Sequence, residues 1–140
     1  MRIREVLTSA GLIILFLLAF VADPATAQMA SDIQVSVEIV GHAPPPPGVG
    51  DFSDIEVVGS LAYVAARTGG LQIFSVADPA HPIWVSSLPE VGMTYAVYVK
   101  DNLAYLACEP KGLVIVDVSN PLNPTVVSET HVPGVTIDID

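Results

Sequence analysis

The stretch Gly112–Pro121 reads Gly-Leu-Val-Ile-Val-Asp-Val-Ser-Asn-Pro, an apolar run closed by a polar turn with a proline. The same pattern stands at Gly70–Pro79, which reads Gly-Leu-Gln-Ile-Phe-Ser-Val-Ala-Asp-Pro. The two runs begin 42 residues apart, and self-similarity at a fixed period of this size is the signature of a repeat protein. The repeat therefore decides how the rest of the 140-residue chain is interpreted.

The similarity extends well beyond this motif. When residues 57–98 are laid over residues 99–140, 15 of the 42 positions are identical. Identity is concentrated in Leu61-Ala62-Tyr63, which recurs as Leu103-Ala104-Tyr105, and in the prolines that follow each motif. Tyr63, Tyr105 and the single tryptophan, Trp84, are expected to pack between neighbouring units.

Each unit is predicted to contain four strands joined by short turns. Gly59-Ser60 and Asp101-Asn102 suit two-residue hairpins, which need positive φ angles. A proline precedes each fourth strand, and a missing backbone donor is tolerated at an outer edge. The predicted strands are 55–58, 61–66, 71–76 and 83–88 in the first unit, and 97–100, 103–108, 113–118 and 125–130 in the second.

Four antiparallel strands in every 42 residues are typical of a β-propeller blade. The predicted fold class is therefore all-β, with blades at about 54–95 and 96–137 and a third beginning at 138. A β-helix would need shorter coils, and an immunoglobulin-like sandwich would not repeat itself. Two blades and a strand are an incomplete propeller, because propellers usually have 4–8 blades.

The second motif resembles the LVIVD-repeat family, because Leu113–Asp117 gives that run unchanged, whereas Leu71–Ser75 departs from it. The resemblance covers about residues 51–140. It implies an exported bacterial or archaeal protein that forms a β-propeller. It implies no general activity and no catalytic residues.

An incomplete propeller leaves apolar sheet faces uncovered. We expect either that the chain is the N-terminal part of a longer protein, because the pattern stops inside a strand, or that chains assemble to complete a ring. The expected partners are further blades, from the same longer chain or from self-association, and an unknown protein or surface ligand. The alternating segment Ile33–Val40 is a candidate strand for completing the last blade.

Residues 1–27 are typical of a secretory signal peptide. Arg2 and Arg4 precede an apolar run, and Ala25-Thr26-Ala27 forms a small-x-small cleavage pattern before Gln28. The run is about 12 residues, short of the roughly 20 that span a bilayer. We therefore predict a secreted, periplasmic or cell-surface protein with no stable membrane span after cleavage. An uncleaved anchor is the alternative.

Residues 28–50 are predicted to hold the first strand and a spacer. Pro44–Pro47 are four consecutive prolines, which favour a stiff polyproline segment without backbone donors. The alternative is a ligand for an SH3-type groove, which an exported protein would rarely meet.

Charge excludes one class of partner. The formal net charge is −10, and the chain has only five Lys and Arg residues. Binding to nucleic acid needs clustered positive charge, so we expect none. The single cysteine, Cys108, is expected to be a small buried residue.

The sequence offers one candidate for a cation site. Asp54 and Glu56 share one strand face, and Asp138 and Asp140 occupy a similar register, so these four carboxylates could ring a central channel and hold calcium. The second unit breaks the ring with Ala96 and Tyr98, so carboxylates solvated at a strand start are the simpler interpretation. His42, His81 and His131 lack zinc spacing and are expected to be exposed, and no catalytic or cofactor-binding residue is predicted.

These observations favour an exported, non-catalytic binding or scaffold module whose ligand would sit on a propeller face. One alternative is part of a propeller-based enzyme with a metal-assisted channel site. Another is a cell-surface structural protein. Fold alone separates none of the three.

Overall fold

The computed structural model describes residues 12–13 and 38–132, which form ten strands and one short 3-10 helix. The strands are β1 Leu12–Ile13, β2 His42–Ala43, β3 Asp54–Val58, β4 Leu61–Ala65, β5 Leu71–Ser75, β6 Ile83–Leu88, β7 Met93–Lys100, β8 Leu103–Glu109, β9 Gly112–Asp117 and β10 Thr125–Thr130, and the 3-10 helix is Pro89–Val91. No helix within these residues is long and apolar enough to cross a membrane.

Eight of the strands form two sheets with the same topology. Sheet 1 has the order β3-β4-β5-β6, sheet 2 has β7-β8-β9-β10, and all neighbours are antiparallel. The prediction of four antiparallel strands per unit is confirmed. β6 and β10 are the last strands of their sheets, where a preceding proline disturbs no ladder.

The turns follow from local chemistry. Gly59 has φ 60°, and Asp101 and Asn102 have φ 50° and 63°, as the hairpin turns between the first two strands require. In the turn after β5, the Asp78 carboxylate accepts a hydrogen bond from Ala80 N at 3.0 Å. In the corresponding turn after β9, the side chain of Asn120 accepts one from Leu122 N at 3.2 Å. The polar residues before each proline therefore form the turns, as predicted.

The first strand of the second unit is longer than predicted. β7 begins at Met93 rather than at Val97, and its register with β8 shifts between Thr94 and Ala96. The bulge admits one extra residue, so Met93 and Thr94 still pair with the end of β8. Alternation alone does not reveal a strand that continues through a bulge.

The N-terminal predictions lie mostly outside the described residues. This applies to the signal sequence, apart from Leu12 and Ile13, and to residues 33–37 of the predicted first strand. Residues 38–40 are described and form no strand. β1 pairs antiparallel with β2, Leu12 with Ala43 and Ile13 with His42.

The apolar side chains form two layers. One lies between the two sheets, and the second lies on the opposite side of sheet 1. We call the side of each sheet that carries Tyr63 or Tyr105 its front face and the opposite side its back face. The front face of sheet 1 packs against the back face of sheet 2.

Candidate functional site

The central strands of the two sheets carry the same side chains on their front faces. In sheet 1 the face presents Leu61, Tyr63, Ala65, Leu71 and Ile73; in sheet 2 it presents Leu103, Tyr105, Ala107, Leu113 and Ile115. All five pairs are identical in type and lie 42 residues apart. The central strands of the two sheets therefore offer the same side chains to whatever packs on them, whereas the first strands differ, with Ala96 at the position of Asp54.

The surroundings of these faces differ. Tyr63 is 4% exposed and Leu71 and Ile73 are fully buried, because sheet 2 covers them. The corresponding Tyr105, Leu113 and Ile115 are only half-buried. Burial raises the pKa of the Tyr63 phenol above its ordinary range, since a phenolate loses its hydration there.

The back faces also correspond position by position. In sheet 2, the back face packs on the front face of sheet 1 through Val97, Ala104, Leu106, Cys108, Val114, Val116 and Val118. In sheet 1, six of the seven equivalent positions form the second apolar layer: Ile55, Ala62, Val64, Ala66, Phe74 and Val76. That layer is completed by Ala43, Val49 and Phe52, which belong to the segment before β3.

Hydrogen bonds fasten the two sheets at their first strands. Val97 N donates to the Asp54 carboxylate at 3.0 Å. Thr94 N donates to Arg67 O at 3.0 Å, and the Ser53 hydroxyl donates to Thr94 O at 3.0 Å. These bonds fix how the first strand of one blade lies beside the first strand of the other.

A further bond joins the sheets at their outer side. The Ser86 hydroxyl, in β6, donates to Pro121 O in the turn after β9 at 2.6 Å. Ser86 lies on the front face of sheet 1, because it pairs with Ile73. Ser128 repeats it in sheet 2 and is exposed.

The structure describes only two of the four carboxylates of the predicted ring, Asp54 and Glu56. Asp54 lies at the start of β3, where its carboxylate binds the backbone of the next blade. Asp138 and Asp140 lie outside the described residues. Within residues 38–132, no group of three or more His, Cys, Asp or Glu side chains is placed to hold a metal ion. The cation site therefore stays a prediction, and the role that the structure shows for Asp54 is to connect blades.

The histidines lie apart from one another. His81 Nδ1 is 2.8 Å from the Asp78 carboxylate, and both side chains are largely exposed. The hydrogen bond from His81 lowers the pKa of Asp78, and the bond from Ala80 N adds to it. His131 Nδ1 is 3.2 Å from Pro110 O, and His42 lies in β2. Each side chain is exposed, as predicted.

Cys108 is buried on the back face of sheet 2. Desolvation raises its pKa, although a contact with the Thr94 hydroxyl at 3.4 Å acts in the opposite direction. A thiol kept protonated and covered is a poor nucleophile. The prediction of a small buried residue is confirmed.

A polar cluster at the junction of the two blades was not predicted. The Tyr95 hydroxyl donates to the Glu109 carboxylate at 3.0 Å, and the Arg67 guanidinium lies 5.6 Å from the Tyr95 ring centre. The bond to Glu109 raises the pKa of Tyr95. Tyr95 and Glu109 lie on paired strands of sheet 2, whereas Arg67 belongs to the first repeat at the position equivalent to Glu109, so only the docking of one blade on the other brings Arg67 to them.

The expectation that Trp84 packs between blades is wrong. Trp84 lies on the back face of sheet 1, is 47% exposed, and donates from Nε1 to the Gln72 side chain at 3.0 Å. Gln72 in turn donates to Gly69 O at 2.6 Å. Trp84 and Gln72 line an open groove of about 500 Å³, together with Pro44–Pro47, Val49 and Ser87. Sequence pattern did not reveal this groove, because one wall comes from outside the repeat.

Comparison with known proteins identifies the repeat. Residues 49–89 and 91–131 each match the LVIVD repeat, and together the two matches cover more than half of the chain. None of the curated proteins compared with the chain matches it.

Proposed function

The chain belongs to the LVIVD repeat family, and on this premise we propose that it is an exported, non-catalytic scaffold or binding module that stacks with further LVIVD blades. One observation carries the stacking proposal. The five front-face side chains of β4 and β5, which lie on the surface that sheet 1 uses to bind the next blade, are repeated in type at the same positions of β8 and β9 in sheet 2.

The same apolar side chains at equivalent positions favour a similar partner. In sheet 1, the back face of the next blade buries Leu71 and Ile73 completely. Leu113 and Ile115 repeat these types at half-buried positions, although a solvent-facing sheet surface favours polar side chains. The simplest physical reason for keeping them apolar is that a similar back face covers them in the assembled protein.

The polar contacts support the same partner. Ser86 binds Pro121 O across the blade junction. Ser128 holds the equivalent place in sheet 2, so its hydroxyl is positioned for the carbonyl of an equivalent turn in a following blade. Tyr98 enlarges the apolar surface, because its ring packs beside that of Tyr105 with centres 6.1 Å apart.

The gain from covering this face is substantial on the scale of a domain. Complete burial of a large apolar side chain contributes about 1.5–3 kcal/mol, and repeat proteins take much of their stability from contacts between neighbouring units. Leu113, Ile115 and Tyr105 are already half-buried, so covering the area that remains exposed would add part of such a contribution at each of the three side chains.

The stacking proposal is tested by adding a blade. The full chain is extended by inserting a second copy of residues 91–132 after Val132. Because the new back face should cover Tyr105, we expect the melting temperature to rise by about 5 °C or more. Amide hydrogens of β8 and β9 should exchange more slowly.

The matched control carries the same insertion with Tyr105→Lys and Ile115→Lys in the original second repeat. It has the same length and repeat content but a front face on which a blade cannot dock without burying charge. Equal melting temperatures for the two extended chains would contradict the stacking proposal.

Export is supported by the sequence pattern of residues 1–27. Expression of the full chain in a bacterial host should give a product outside the cytoplasm that begins at Gln28, as read by mass spectrometry. Leu15→Arg interrupts the apolar run and should leave the full-length chain inside the cell. A product that keeps Met1 in both variants would contradict cleavage.

A further inference from the structure

The segment before the first blade occupies a surface that the repeat normally reserves for another blade. Ala43 is 2% exposed and Phe52 is 7% exposed, and both pack on the back face of sheet 1. The equivalent surface of sheet 2 is filled by the front face of sheet 1. We call residues 41–52 the N-terminal cap.

The cap is fitted closely to sheet 1. The rings of Phe52 and Phe74 meet edge to face with centres 6.3 Å apart. Gly41 lies so close to the turn after β5 that a Cβ there would collide with Pro79 O. Val49 N donates to Pro46 O at 3.2 Å, which closes a turn within the cap.

Sheet 1 departs from sheet 2 where the cap lies. Phe74 stands where sheet 2 has Val116, and its larger ring reaches the cap. Gln72 stands where sheet 2 has Val114, and its buried side chain joins Gly69 O to the Trp84 indole. Gln72 and Trp84 form an uncharged polar pair beside the open groove, whereas Val114, at the same repeat position as Gln72, is buried in the junction of the two sheets.

We propose that residues 41–52 cap the repeat array by competing with the front face of an LVIVD sheet for the back face of sheet 1, and that the partner excluded in this chain is sheet 2 of a second copy. The inference rests on the stacking mode proposed above. It adds that the array extends from sheet 2 only.

The chemistry of the cap suits this role. A back face and a front face on opposite sides of one molecule are complementary, and such head-to-tail contacts produce open chains of molecules unless they close. Terminal units of repeat proteins need an outer surface that does not invite further stacking. Pro44–Pro47 give the cap four residues without backbone donors, so this part of the cap cannot donate hydrogen bonds to a neighbouring strand.

The test releases the cap from the full chain. Phe52→Asp places a charge in the contact with Phe74 and should detach the segment. Sedimentation velocity over a range of protein concentrations should then show the weight-average mass increasing by about twofold or more, since head-to-tail contacts do not close. The unsubstituted chain and Leu122→Asp, a charge at a side chain that is already 72% exposed, should show no such increase.

The partner is identified by a second substitution in the same chain. Phe52→Asp combined with Tyr105→Lys should return to the mass of the unsubstituted chain, because the docking front face then carries a charge. Association that persists in the double variant overturns the head-to-tail contact.

Gly41→Ala should also detach the cap, because the added Cβ would collide with Pro79 O. It introduces no charge and changes no residue of sheet 1 or sheet 2, so it replaces Phe52→Asp if the Phe52→Asp variant does not fold. Hydrogen exchange of residues 43–52 shows whether the cap has detached. A detached cap with an unchanged mass overturns the competition. In that event the stacking proposal is still judged separately, by the extended chain and its control, in which the cap is intact.

Discussion

Tyr63 and Tyr105 are the same residue at the same repeat position, yet one is buried between sheets and the other is half-exposed. The same holds for Leu71 and Leu113. The comparison teaches that the repeat encodes a surface for a blade, while the burial of that surface depends on what lies next to it. In the proposed stacking, the apolar side chains on the half-buried front face of sheet 2 form the surface that a further blade would cover.

The back faces give the opposite lesson. On the back face, sheet 1 has Phe74 and Gln72 where sheet 2 has Val116 and Val114. The segments packed on these two back faces also differ. Sheet 1 meets the cap, and sheet 2 meets a blade. The back-face side chains of the two repeats thus differ where the segments packed on them differ.

The largest effect should distinguish the two front faces directly. Leu71→Ala empties a fully buried position and should reduce the free energy of unfolding by about 2–5 kcal/mol. Leu113→Ala removes a half-buried side chain and should reduce it by about 1 kcal/mol. Denaturant unfolding of both variants measures the difference. Equal losses would show that the two faces are covered alike.

The second effect should be the same in both blades. Gly70 and Gly112 have φ 67° and 85°, and a Cβ at either would collide with backbone near the end of the fourth strand. Alanine at each should cost about 2 kcal/mol or more, because left-handed backbone and a collision are combined.

Gly59→Ala is the control for the glycine pair. Its φ is 60°, but a Cβ there meets open space, so only the backbone strain of about 1–2 kcal/mol remains. A large difference between Gly70→Ala and Gly112→Ala would mean that contacts between blades, and not the blade itself, require these glycines.

A smaller effect concerns the first strands, where Asp54 and Ala96 differ. Asp54→Ala removes the acceptor for Val97 N and should cost about 1–2 kcal/mol, somewhat below the usual value for a hydrogen bond to a charged group because the site is partly exposed. Asp51→Ala, an exposed carboxylate three residues earlier, should change stability by less than about 0.5 kcal/mol. Thermal melts compare them.

The same pair of variants tests the predicted calcium ring. Since Asp54 binds backbone, we expect added calcium to leave the melting temperature of the unsubstituted chain unchanged. An increase that Asp54→Ala abolishes would instead support a cation at this position.

The smallest effect is on pH dependence. The pKa of Tyr63 is raised in the folded chain above the ordinary tyrosine value of about 10. A raised pKa means that the folded chain holds the proton more tightly, so this stabilisation is complete below about pH 10 and is lost as the pH rises through the folded value. Because the pKa of Tyr95 is raised as well, absorbance at alkaline pH should show late-ionising phenols, and Tyr63→Phe should remove one of them. Unchanged titration in that variant would assign the late ionisation to other tyrosines.

Much of the blade could be predicted from the sequence. Strand positions, hairpin turns and the outer place of the fourth strand are local consequences of alternation, of residues that accept positive φ, and of proline. The extension of β7 to Met93 was missed, because a bulge breaks the alternation that signals a strand.

The candidate site was less accessible. The importance of Tyr63 at the blade junction follows from the repeat, but the roles of Asp54, Arg67 and Trp84 do not. Asp54 was predicted as part of a cation site because its spacing from Glu56 suited one, while the structure places the Val97 amide against its carboxylate. Spacing along a strand shows which side chains share a face, but not what faces them.

The sequence by itself determined the repeat, its four strands and its two apolar faces, because a 42-residue period and alternation are properties of the chain alone. Only the tertiary structure decided which faces meet. It placed sheet 2 on the front of sheet 1 and residues 43–52 on its back, because burial depends on how separate segments pack in space. Because Tyr63 and Tyr105 are the same residue at the same repeat position, the sequence alone could not show that one is buried and the other only half-buried.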